Sequence, residues 1–111
     1  MIDWSRINEL VEEIGAEDFG EVVELFLDEV EGAICIFEQS ASDPVVAEEQ
    51  MHFLKGAALN LGFESLAQLC LKGEKAASTG RPEVVSPAEV RETFETSRVQ
   101  FQEDLPNRLA A

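Results

Sequence analysis

Basic residues are scarce in this chain. Lysine and arginine total 8 against 23 aspartates and glutamates, for a formal charge of −15. Nucleic acid is excluded as a partner class, since phosphate contacts need a basic stripe. An anionic membrane surface is excluded on the same ground. Tyrosine is absent, tryptophan occurs once and histidine once. No apolar run approaches the ~18 residues of a membrane span. The opening MIDWSRINELVEE has neither a basic n-region nor an apolar h-region, so no signal peptide is expected. Cys35 and Cys70 are the only cysteines and form no CxxC pair. A cytoplasmic protein with reduced thiols is therefore the expectation, with a disulfide as the alternative.

What is present is helical. Hydrophobic residues make up 45% of the 111, too many for a disordered acidic tail and enough for one core. A single domain over 1–111 is expected, with a core bundle over about 17–108. The sparse punctuation divides the chain into five blocks. The first spans 3–14, with Asp3 to cap it and Gly15 to end it. The second spans 17–40; Phe19, Val22, Val23, Phe26, Leu27, Val30, Ile34 and Phe37 recur at intervals of three and four. The third opens at Asp43-Pro44, a cap followed by proline at the first helical position, and runs to Leu61 before Gly62. The fourth runs from Glu64 to Ser78, and Gly80 closes it. The fifth opens on Ser86-Pro87-Ala88-Glu89, a capping box, and carries Val90, Phe94, Phe101 and Leu105. Short loops make sequential helices antiparallel. The fold class expected is all-α: an antiparallel up-down four-helix bundle of blocks two to five, with a short extra N-terminal helix.

His52 is the one candidate for chemistry. A lone helical histidine is most often structural. Here, however, Ala47, Met51, Leu54, Ala57, Ala58 and Leu61 share one face of the third block. At ~100° per residue His52 falls about 150° away, toward solvent. Gly56 lies one turn on, where glycine costs about 1 kcal/mol relative to alanine. Packing within the bundle explains it poorly, and close approach of an external partner explains it better. Lys55, Val45 and Leu59 flank the same spot. If the third and fourth blocks fold back near Gly62-Phe63, Lys72 and Lys75 return to the level of His52. A solvated face with acidic helical neighbours such as Glu74 is the bland alternative for these lysines. No triad partner or set of convergent metal ligands is apparent. A neutral imidazole near pH 7 is nevertheless a competent nucleophile toward an activated phosphoryl group.

The run His52-Phe53-Leu54-Lys55-Gly56-Ala57-Ala58-Leu59-Asn60-Leu61-Gly62 resembles the signature of histidine phosphotransfer (HPt) domains. The likeness continues through Leu66, Leu69-Cys70 and Glu74, and covers about residues 10 to 80. It implies a four-helix bundle whose His52 is phosphorylated at Nε2. It further implies that Lys55 sits beside the phosphoryl group and that Gly56 permits docking of a receiver domain. It implies transfer between receiver-domain aspartates without autokinase activity, no cofactor on this chain, and Mg²⁺ in the partner. The expected partners are the receiver of a hybrid sensor kinase and that of a response regulator, met by a monomer. Docking is expected on the outer face of the second and third helices, with Val45, Leu59 and Phe63 as apolar contacts. Gly73 departs from the family, which commonly has leucine there; it should loosen the fourth helix or let another helix approach closely. Ala77-Ser78-Thr79-Gly80 departs as well, where the family often has a basic residue. A non-transferring adaptor or inhibitor of the same fold is the alternative function, and a generic acidic helical partner or an enzyme of unknown class is the third.

Overall fold

A computed structural model describes residues 1–110, with side chains through Arg108. Ala111, the last residue of the expected domain, lies outside the described residues. The chain is all-helical: α1 (Trp4–Ile14), α2 (Ala16–Ser40), α3 (Pro44–Leu61), α4 (Glu64–Ser78), a 3₁₀ turn (Pro82–Val84) and α5 (Pro87–Ala110).

Local chemistry sets these boundaries. The Asp3 carboxylate accepts from the Arg6 amide at the start of α1. The Asp43 carboxylate accepts from the Val45 and Val46 amides, with Pro44 leading α3. At the head of α5 the Glu89 amide donates to Ser86 Oγ at 3.1 Å. The Ser86 amide donates back to Glu89 Oε1 at 3.2 Å, completing the expected capping box. Gly62 ends α3 in the left-handed region at φ 72°. A Cβ there would also sit 2.6 Å from the Asp3 carbonyl oxygen, so two constraints demand glycine.

α3 buries the face its periodicity predicts, and α2 buries five of its eight expected positions, with Val22, Phe26 and Leu27 half-buried. All six apolar positions expected of α3 are buried, as are Phe19, Val23, Val30, Ile34 and Phe37 of α2. From α5, Val90, Phe94 and Phe101 enter the core, and Leu105 packs at its margin. α3 packs most extensively on α4, and α2 lies against both α3 and α5. Arg91 of α5 clasps α2 by pairing with Glu31 and Glu38.

The short helix α1 packs against α2 and α3. Residues before it form a strap: the Asp3 amide donates to the Gly62 carbonyl at 2.7 Å, and Ile2 bridges Phe63. Phe63 is thereby sealed in the core, edge-on to Phe101 at 5.6 Å. Trp4 stacks on Phe101 from the other side at 6.1 Å. The cysteines are free. Burial pushes the Cys70 thiol up to about 12, so it is an inert core residue, while Cys35 is exposed.

Candidate functional site

The site lies on the outer ridge of α3. His52 is buried on neither side, with 69% of its side chain exposed, as the facing argument predicts. Val45, His52 and Leu59 are spaced by seven and stand on nearly one line of the helix, each about 10 Å from the next. Val45 and Leu59 are both exposed.

The neighbour that organises His52 comes from α4. Glu74 Oε2 lies 2.6 Å from His52 Nδ1, and Glu74 Oε1 lies 2.6 Å from Lys55 Nζ. One carboxylate thus ties both residues. Glu74 is only 18% exposed at its side chain, against the flank of α3. The Lys55 ammonium, and then the His52 hydrogen bond, hold its carboxyl below the usual carboxylate range. An ionised carboxylate can only accept, so Nδ1 carries the proton in this pair. The neutral ring then has its lone pair on Nε2, and no hydrogen bond engages that atom among the described residues.

Gly73 explains how Glu74 reaches its place. A Cβ at Gly73 would lie 2.9 Å from Met51 Sδ and 3.3 Å from Val85 Cβ. Of the two outcomes expected of this glycine, close approach is the one the fold adopts. Met51 and Gly73 interlock directly beneath His52 and Glu74, drawing α3 and α4 together at that level.

Gly56, one turn beyond His52, is different. A Cβ built there meets nothing within 4 Å. The space in front of it is a shallow groove of about 320 Å³ between α2 and α3, lined by Phe26, Glu29, His52, Phe53 and Asn60 among others. On the opposite flank, Lys55 and Leu59 line a second depression with Leu71 of α4.

One expectation changes. Phe63 is fully buried and offers no surface contact, because Ile2 covers it and Phe101 backs it. Lys72 and Lys75 are exposed on α4, and among the described residues neither forms an ion pair. The residue that α4 delivers to His52 is Glu74. The sequence held a signal for it: residues 52 and 74 are equidistant from Phe63 at the turn.

The Hpt domain family model matches residues 17–111. No curated protein matches the chain, and no solved structure does. The family match covers most of the sequence, from the second residue of α2 through α5, and the chain belongs to the Hpt-domain family. Membership carries a phosphotransfer role in two-component signalling, and Hpt domains interact with receiver domains. Among the described residues no helix is long and apolar enough to cross a membrane.

Proposed function

We propose that this chain relays a phosphoryl group between receiver-domain aspartates in a multistep phosphorelay, through Nε2 of His52. The observation that carries the reading is the Glu74–His52 contact, which leaves the Nε2 lone pair of an exposed ring without a hydrogen-bond partner among the described residues. In the forward step Nε2 attacks the phosphorus of an aspartyl phosphate. The P–N bond forms, the P–O bond to the aspartate breaks, and the carboxylate leaves. The ring keeps its Nδ1 proton and becomes cationic, and Glu74 faces that charge. Lys55 is near enough to turn from Glu74 to the phosphoryl oxygens. The second transfer reverses these events on another receiver. The partner supplies Mg²⁺; this chain brings no cofactor and no autokinase activity.

Gly56 and the groove before it leave room for the receiver, and Val45 and Leu59 offer apolar contacts along the ridge. The donor is the receiver of a hybrid sensor kinase, and the acceptor that of a response regulator. The chain acts as a cytoplasmic monomer: one domain, with α2 to α5 as an antiparallel up-down four-helix bundle. The closure of α2 on α3 and α5, and of α4 on the same two helices, supports that topology.

The test is radiolabel transfer from purified phosphorylated receivers to wild type and to His52→Gln. Acid-labile label on wild type alone is the expected result. Label of equal extent on His52→Gln defeats the assignment. Binding to a receiver without transfer favours the adaptor reading.

A further inference from the structure

Three cations on α4 and just beyond it have no task in the site described. Lys72, Lys75 and Arg81 are exposed, and none forms an ion pair among the described residues. The other five basic residues are engaged. Arg6, Lys55, Arg91 and Arg98 pair with glutamates, and Arg108 lies over the Trp4 ring. Residues 65–82 hold the three cations and one carboxylate, a net +2 in a chain of −15. That carboxylate is Glu74, already tied to His52 and Lys55. From Gln68 to Arg81, every exposed charged side chain is therefore positive.

Local structure accounts for one of the three. Lys75 lies in the last turn of α4, where a cation offsets the helix dipole. Lys72 stands a turn earlier, and Arg81 lies past the helix end. No carboxylate is three or four residues from either lysine, and their only charged neighbour at that spacing is each other. Such a pair repels, although the chain has acidic residues in excess. Leu71, 39% exposed, borders them. Around α4, Lys75 stands about 100° from Glu74 and Lys72 about 160° in the same sense. The pair thus faces outward, turned from the flank that meets His52.

We infer that the outer face of α4 is a second interaction surface, separate from the His52 ridge, for an acidic segment of another protein. Its chemistry is several aspartates or glutamates beside one apolar side chain for Leu71. The cations extend about 10 Å along the helix and its end, against a screening length of about 8 Å at physiological salt. A short acidic segment laid there meets lysine and arginine, while the carboxylates elsewhere are screened. A nucleic-acid duplex or an anionic membrane is wider and meets those carboxylates directly. Because the lysines turn from His52, the acidic segment and a receiver are held at once, and the surface tethers one partner while the other exchanges phosphate. This surface stands whether or not His52 relays a phosphoryl group.

The probe is a fluorescent peptide of about ten residues, long enough to cover the cations, rich in glutamate and with one leucine. Its glutamine counterpart is the control. The acidic peptide should bind the full chain, weaken as NaCl rises, and lose about tenfold or more in affinity when Lys72→Glu and Lys75→Glu are combined. Lys72→Arg with Lys75→Arg should retain binding; thermal melts verify that each variant is folded. Saturating peptide should leave label transfer from a phosphorylated receiver to His52 at its full rate. Equal affinity for the glutamine peptide overturns the inference, and so does indifference to the charge reversal. Tighter binding of a DNA duplex or of phosphatidylserine vesicles overturns the choice of partner. A peptide that blocks transfer places the lysines in the relay face and overturns the separation. The relay reading is scored by acid-labile label on His52 without peptide, so either reading fails without the other.

Discussion

Glu74 Oε2 and His52 Nδ1 stand 2.6 Å apart, joining α4 to the exposed ridge of α3 across 22 residues of chain. The same carboxylate holds Lys55. The candidate nucleophile and a neighbouring cation are therefore positioned by one side chain, and replacing that side chain has two effects.

Glu74→Gln removes the charge that fixes the Nδ1 proton and offsets a cationic ring. Phosphoryl transfer to His52 should fall on the order of 10- to 100-fold, as when an outer partner orienting a histidine is lost. Single-turnover transfer from a phosphorylated receiver measures it. A wild-type rate would mean that the contact has no part in the chemistry.

The pH dependence follows from the direction in which Glu74 is shifted. Its folded carboxyl lies below the ordinary value, held there first by Lys55. Its contribution to stability is thus complete above the ordinary carboxylate value of about 4.3 and is lost as pH falls through the lower folded value. Glu38, lowered by Arg91, acts in the same sense. Lys55→Gln should move the Glu74 titration upward, read directly by carboxyl carbon NMR. Glu74 stays ionised through the neutral range, so any inflection of the transfer rate near pH 7 belongs to another group.

Gly56 faces open space. Gly56→Ala should raise the unfolding free energy by up to about 1 kcal/mol, and Gly56→Trp should fold yet transfer poorly, because the indole occupies the partner's approach. Thermal melts with transfer assays separate the two effects. Full transfer by the tryptophan variant would leave the glycine without a reason.

Gly73 is the opposite case. Gly73→Leu, the residue common in the family, should destabilise by about 1–3 kcal/mol through overpacking against Met51 and Val85. It should also spread α3 from α4 and lengthen the His52–Glu74 contact. Chemical denaturation checks the first effect, and the His52 ring chemical shifts check the second.

Much of this was legible in residue order. The bounds of α3 follow from Asp43-Pro44 and Gly62, and the head of α5 from Ser86 and Glu89, because caps are local chemistry. The outward aim of His52 followed from periodicity, which depends on one helix alone. Glu74 was harder, since its approach to His52 depends on how α4 rolls against α3. That roll is set by Gly73 meeting Met51, a fit between two helices rather than a property of either. Phe63 was misjudged for a related reason. Its cover comes from Ile2, 61 positions earlier, and no local pattern announces such a pairing.

The strap and α1 lie before residue 17, where the family match begins. They nevertheless close one end of the helices: Ile2, Ile7 and Leu10 are buried, and Trp4 lies flat on Phe101. A fragment trimmed to the family's boundary would be uncapped, with Phe63 and Phe101 stripped of their cover. The natural unit for expression, fusion or domain grafting therefore starts at the strap, and the homology boundary is the wrong place to cut.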